Sequence, residues 1–221
     1  MKIGIDARFY GPEGKGLGRY TQRLIEHLEK VDTANQYVIF LNDQNWPDYL
    51  PKNPNFTKIR ADCRWYSLAE QIIMPWLCRR EKLDLMHYTH FNVALLTPCP
   101  FIVTIHDLIL LRYPTRRAST LDPALYFIKN LAYRLVISRA IAKSQKVITV
   151  SNYTKADILK HFPKTPEQKI KVTYEACDSV ESGQLKLPDT DLSKYGISKP
   201  YLLYIGNAYP HKNIEQLINI F

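Results

Sequence analysis

A histidine and an aspartate stand side by side at His106-Asp107, directly after the apolar run Phe101-Ile102-Val103-Thr104-Ile105. That run is rich in β-branched residues and reads as a buried strand, so the pair falls where the strand should end. In an open parallel sheet, ligands bind just outside the carboxyl ends of the strands. A titratable imidazole and a carboxylate are well placed there to do chemistry. The same dipeptide also suits a core histidine followed by a helix-capping aspartate. These residues alone leave both readings open.

Other groups bear on the choice. Gly16-Leu17-Gly18 lies where a loop gives way to a helix. A helix N-terminus presents free N–H groups and partial positive charge, and glycines let a phosphate approach that backbone. A plain tight turn explains the glycines too. A dinucleotide fingerprint would want a third glycine where Thr21 stands and a shorter loop, so a nicotinamide cofactor is disfavoured even with Asp43 after the second strand. His87 and His90 flank the end of another apolar run, with Asn92 close behind. Two histidines at that spacing suggest a metal, but no third ligand follows, and polar residues lining a cleft or a solvated loop fit better. Asp189-Thr190-Asp191 has the acid-x-acid form of a metal site on a nucleotide diphosphate; it lies in a polar linker and reads as a solvated charge cluster.

The elements that must position these residues alternate along the chain. Strands are expected at Lys2–Asp6, Tyr37–Leu41, Thr57–Arg60, Leu83–Tyr88, Phe101–Ile105 and Lys146–Val150. Helices are expected from about Leu17 to Lys30, Ser67 to Arg80 (with Pro75 threatening a kink), Pro123 to Ala142, and Tyr153 to His161 behind a Ser151 cap. Such alternation predicts an α/β fold with a doubly wound, Rossmann-like parallel sheet over residues 1–177. Residues 178–199 read as a linker. Residues 200–221 supply a new strand, Tyr201–Gly206, and part of a helix from Asn213, as the start of a second Rossmann-like domain. The rhythm stops in mid-helix at Phe221, which reads as a chain cut short.

Composition narrows the partners. Hydrophobic residues make up 46 % and charged residues 23 % of the 221, enough apolar material for a packed core. The formal net charge of +9 favours anionic partners. Lys and Arg are spread out and no nucleic-acid motif is present, so nucleic acid is not expected. The cysteines Cys63, Cys78, Cys99 and Cys177 are scattered without a Cys-x-x-Cys pair, which fits a reducing cytosol and argues against zinc. No signal peptide and no apolar run of about 20 residues is visible. The expected location is therefore cytoplasmic, or peripheral on the inner face of a membrane. Trp65, Tyr66, Trp76, Arg79, Arg80 and Lys82 mix aromatics with bases, which suits an anionic membrane interface and equally suits helix-to-sheet packing.

Five motifs occur in register: Ile3-Gly4-Ile5-Asp6-Ala7-Arg8, Gly16-Leu17-Gly18-Arg19-Tyr20-Thr21, Val103-Thr104-Ile105-His106-Asp107, Val147-Ile148-Thr149-Val150-Ser151 and Tyr204-Ile205-Gly206-Asn207-Ala208-Tyr209-Pro210-His211-Lys212-Asn213. Together they resemble a group 1 (family 4) glycosyltransferase of the GT-B architecture, in its mannosyltransferase-like branch. The resemblance implies retaining transfer from a nucleotide-diphosphate sugar, a substrate rather than a cofactor, without a metal, in a cleft between two domains. The acceptor would be a lipid-linked or polysaccharide glycan. By that resemblance His106 is catalytic and meets the donor sugar, while Gly16, Gly18 and Lys212 face the donor diphosphate. Arg8, Arg19, His87, His90, Asn92, Asp107 and Ser151 are the further candidates for the acceptor or cleft. Many family members carry arginines where Asn207 and His211 stand, which leaves Lys212 as the only cation of its group. The family's paired donor-binding glutamates are expected beyond residue 221, so these residues alone are expected to be inactive. Two other readings remain: a non-catalytic acceptor- or membrane-binding module, and a nucleotide-sugar epimerase of similar two-domain fold.

Overall fold

A computed structural model describes residues 1–113, 122–176, 192–198 and 200–221. Cys177, Asp189-Thr190-Asp191 and most of the expected linker lie outside the described residues. Among those described, residues 1–113 and 122–175 form one unit, and those from 176 onward belong to a second.

The first unit is built on seven strands: β1 (Lys2–Asp6), β2 (Gln36–Leu41), β3 (Phe56–Arg60), β4 (Leu85–Tyr88), β5 (Phe101–Ile105), β6 (Lys146–Thr149) and β7 (Ile170–Val172). All pair in parallel, in the order β3-β2-β1-β4-β5-β6-β7. This is the α/β, Rossmann-like sheet the alternation predicts. β7 escapes sequence reading because three residues (Ile-Lys-Val) carry too little periodicity.

The helices are α1 (Lys15–Val31), α2 (Glu70–Arg80), the short α3 (Ile109–Arg112), α4 (Pro123–Lys143) and α5 (Asn152–His161). Their starts follow from local chemistry. Asp122 caps α4 by accepting the Ala124 N–H, and Pro123 occupies the first turn, where it loses no hydrogen bond. Ser151 caps α5 by accepting the Thr154 N–H at 3.1 Å. Pro75 is buried within α2, which continues past it to Arg80.

Both faces of the sheet are covered. Along β2, Val38 and Phe40 join one apolar cluster, while Tyr37, Ile39 and Leu41 join the other. A parallel strand buried on two faces has this near-continuous apolar sequence. The first cluster takes Met74, Leu77 and Cys78 of α2, Ile137, Ala140 and Ile141 of α4, and Ile158 of α5; the second takes Ile25 of α1. Thus α2, α4 and α5 share one face and α1 covers the other. Right-handed crossovers require this, because the chain moves one way from β1 through β3 and the other way from β4 to β7. The reversal lies between β1 and β4, and its carboxyl rim is the expected ligand position.

The second unit contains a 3-10 turn, Pro210–Lys212, and helix α6 (Ile214–Ile220). Tyr201–Gly206 does not form the expected strand. A strand exists by pairing, and no described strand pairs with this segment. Among the described residues, no helix is long and apolar enough to cross a membrane.

Candidate functional site

Three of the candidate histidines converge at the rim beside the β1–β4 reversal. His106 follows β5, and its Nε2 lies 3.1 Å from the carbonyl oxygen of Thr89, just past β4. A carbonyl only accepts, so Nε2 carries a hydrogen and donates to it. Its Nδ1 lies 3.2 Å from Glu175 Oε1, and the edge of Tyr20 meets its ring at 4.7 Å between centroids. The Thr154 hydroxyl donates to the His106 carbonyl at 3.0 Å, which ties the strand end to α5. Both ring nitrogens are therefore engaged by the protein's own groups.

His87 and Thr104 point from β4 and β5 toward α1, where Tyr20 waits. His87 Nε2 is 2.9 Å from Thr104 Oγ1, and the Tyr20 hydroxyl is 3.2 Å from the same oxygen. Burial raises the Tyr20 pKa, so its phenol stays neutral. His87 is buried, and its pKa is pushed down to about 4, first by burial and then by the neighbouring His106. His90 is likewise held below its ordinary value by burial, then by His106, and packs against Phe9 and Phe91. Thr89 links this floor to β1: its hydroxyl donates to the Asp6 carbonyl at 2.9 Å and accepts from Thr21 at 3.1 Å.

The His87 shift has a signed consequence. The unfolded chain takes up a proton on this ring near pH ~6.5, the folded one only near about pH 4. The ring's contribution to stability is complete above the unfolded value and is lost as pH falls through the folded one. Urea denaturation should therefore show the unfolding free energy falling between these pH values, with a shallower fall in His87→Gln. Equal slopes in the two proteins would mean that the ring titrates freely.

Asp107, Ser151, Arg8 and Asn92 make their contacts within the fold itself. Asp107 accepts the Ile109 N–H at 2.9 Å across a local turn one residue before the Leu108 N-cap of α3, while Ser151 caps α5. Of the His106-Asp107 pair, only the histidine faces this cluster through its side chain. Arg8, expected at the cleft, is instead completely enclosed. Its Nε and Nη2 donate to Asp6 at 2.8 and 2.6 Å, and Nη2 also reaches Glu70 at 2.5 Å. Burial alone would lower the Arg8 pKa, but the adjoining carboxylates of Asp6 and Glu70 outweigh it and hold the guanidinium charged above its ordinary range. Asn92 donates to both Glu70 oxygens at 2.7 and 2.9 Å. Arg8 and Asn92 thus form a buried network under the rim, because a charged fork in the core must satisfy its donors internally.

The two glycines of the α1 entry differ. A Cβ on Gly18 would stand 2.0 Å from the Gly11 carbonyl oxygen and 2.5 Å from that of Phe9, so this position must stay bare for the loop to close on the helix. A Cβ on Gly16 would meet nothing within 4 Å. The backbone of the first α1 turn is open at Gly16 and closed at Gly18. Arg19 is exposed on the same turn. Lys212 belongs to the second unit, where it is exposed at the end of the 3-10 turn before α6. Among the described residues, no three His, Cys, Asp or Glu side chains gather as a metal site.

The family described as Glycosyltransferase Family 4 matches residues 14–180. The chain belongs to that family. Two curated relatives are O-antigen chain mannosyltransferases. RfbU of Salmonella typhimurium (strain LT2) is 25 % identical over 221 residues, with 94 % of this chain and 55 % of the relative covered. O-antigen chain mannosyltransferase B of Escherichia coli is 24 % identical over 224 residues, with 93 % and 56 % covered. The chain therefore spans about half the length of the curated relatives it matches. Among solved structures, a sucrose-phosphate synthase chain from Thermosynechococcus elongatus superposes with a TM-score of 0.52 at 12 % identity, with 80 % of this chain and 91 % of that one covered. At that identity the likeness is one of fold, a GT-B glycosyltransferase half. Within this Family 4 chain, sequence reasoning missed Thr89, Thr104, Tyr20 and Glu175. Tyr20 and Thr104 stand within two of the quoted motifs, but only the tertiary fold sets them on His87, and Thr89 and Glu175 on His106.

Proposed function

We propose that this chain is the acceptor-side half of a retaining glycosyltransferase that moves a hexose from a nucleotide-diphosphate sugar to a lipid-linked or polysaccharide acceptor. Mannose is the sugar that the names of its relatives favour. The observation that carries the reading is His106, fixed at the sheet's carboxyl rim by Thr89 and Glu175 in a Family 4 chain. Positive charge develops on the sugar ring as the diphosphate leaves, and a fixed polar group beside the reacting carbon favours that state. For His106 to meet the sugar, Nδ1 exchanges Glu175, whose side chain is 52 % exposed, for a sugar oxygen. Gly16, with open space above its backbone, receives the donor diphosphate, and Gly18 keeps that turn tight. No metal or organic cofactor enters this scheme.

The assay uses a chain as long as the curated relatives, since the 221 residues alone are expected to turn over no donor at an appreciable rate. A panel of GDP-, UDP- and dTDP-linked hexoses is supplied with lipid-linked glycan acceptors, and the new linkage is read by NMR. Transfer with the donor's anomeric configuration kept is the expected result. An epimerised nucleotide sugar, or transfer with inversion, would overturn the proposal.

The same reading places the protein on the cytoplasmic face of a membrane. Leu68, Ile72 and Trp76 are exposed along or just before α2, and Phe127, Ile128, Leu131 and Leu135 along α4. Both helices lie on one face of the sheet, and Arg79, Arg80, Lys129, Arg134 and Arg139 stand among these residues. Exposed apolar residues flanked by cations suit an anionic bilayer. Co-sedimentation should be strong with phosphatidylglycerol-containing vesicles, weak with phosphatidylcholine alone, and reduced in Leu131→Asp. Equal pelleting with both vesicles would remove the electrostatic part of this reading.

A further inference from the structure

A cavity of about 580 Å³ opens at the carboxyl ends of β2 and β3, lined by Asn42, Gln44, Asp62, Cys63, Arg64 and Trp65. It lies on the same rim as His106, two strands beyond the β1–β4 reversal. A line of rings runs from one to the other. Trp65 stacks on Phe9 at 4.1 Å, Phe9 meets His90 edge-on at 5.3 Å, and His90 follows Thr89, whose carbonyl oxygen lies 3.1 Å from His106 Nε2.

The lining is specific in character. A broad indole surface sits among two amides, a carboxylate and a guanidinium. A pyranose presents an apolar C–H face and a ring of hydroxyls, and this set matches both halves. The indole covers the C–H face, while the Gln44 amide, the Asp62 carboxylate and the Arg64 guanidinium bridge adjacent hydroxyls; the Asn42 amide is held by the Asn45 N–H and the Arg8 carbonyl. A phosphate would meet the Asp62 carboxylate, and a lipid tail would strip water from every polar group without replacing it.

The loop is also built to hold its shape. Tyr66 has φ +59°, a left-handed backbone that a bulky side chain adopts at a cost on the order of 1 kcal/mol. Its N–H donates to Glu70 Oε2 at 2.9 Å, and Glu70 is itself locked by Arg8 and Asn92. The turn at Tyr66 directly follows Trp65, which lines the cavity. Backbone strain held in place by a buried ionic network is compatible with a ligand clamp.

We infer that the Asp62–Trp65 cavity is a carbohydrate subsite that grips a sugar of the acceptor glycan remote from the one that reacts. This rests on the glycosyltransferase reading, and it adds the class and position of the acceptor contact. The ring line then gives the glycan a path from Trp65 to His106.

Saturation-transfer NMR on the 221-residue chain, without donor, uses mannobiose, diacetylchitobiose and lactose as probes. At least one disaccharide should bind at roughly millimolar concentration, about tenfold more weakly in Trp65→Ala, and several-fold more weakly in Asp62→Asn. Tyr153→Ala, an exposed aromatic on α5, should leave binding unchanged. Asp62 is exposed, so its variant decides the matter if Trp65→Ala fails to fold. Lack of binding by all three probes, or affinity retained in the folded variants, would overturn the subsite. The two readings fail separately. Binding at Trp65 without transfer in the longer chain would remove the enzyme and leave a lectin-like module. Transfer with an unchanged acceptor KM in Trp65→Ala would remove the subsite and leave the enzyme.

Discussion

Replacing Arg8 by methionine is expected to cost the seven-stranded unit about 3–5 kcal/mol, the scale for breaking a buried ion pair by removing one partner. Arg8 is enclosed between Asp6 and Glu70, both themselves buried. Without it, two carboxylates face each other across a cavity, each stripped of water and of its strongest donor. Methionine fills much of the stem's volume, so the loss reports the charge rather than the packing. A typical domain has only about 5–15 kcal/mol in total, so the variant should be marginal at room temperature. Arg8→Lys keeps the charge but not the fork that reaches Asp6 through two nitrogens, and should fall between the two. Urea denaturation followed by circular dichroism checks both. A midpoint for Arg8→Met close to that of the parent would mean that water or a rearranged Glu70 compensates, and that the network is no anchor.

His106→Ala is expected to separate activity from stability. Turnover in the longer chain should fall by roughly 10²-fold or more, the scale for losing one preorganised group beside developing charge. Stability should fall only modestly, by about 1–2 kcal/mol, because the ring is at the rim and gives up its contacts with Thr89 and the exposed Glu175. The measurement is a pair: steady-state transfer, and a melting curve on the same preparation. A large drop in melting temperature with normal turnover in the surviving protein would return His106 to the part of a packing residue.

Much of this protein is written locally. β-Branched runs at Phe101–Ile105 and Tyr37–Leu41 are buried on both faces, and that burial is what their sequences describe. Ser151 before an amphipathic segment, and Asp122 before Pro123, mark helix starts because the cap satisfies an N–H within its own first turn. Alternation of strands and helices then leaves a parallel sheet as the economical fold, and the five motifs in register name the family.

What the sequence could not supply depends on pairs distant along the chain. Arg8 reads as a cation near a strand end; only the meeting of residues 6, 8, 70 and 92 turns it into a core group. Gly18 and Gly16 look alike until the loop at Phe9 and Gly11 folds over one of them. Thr89, Thr104, Tyr20 and Glu175 surround His87 and His106 because β4 lies beside β5 and α1 crosses that face. Tyr201–Ile205 has a strand's composition without a strand's structure, since a strand is a relation between neighbours and its residues alone cannot provide one. Periodicity and capping act over a few residues and are visible in one dimension. Burial, pairing and charge compensation are set by which elements meet, and those only the tertiary fold decides.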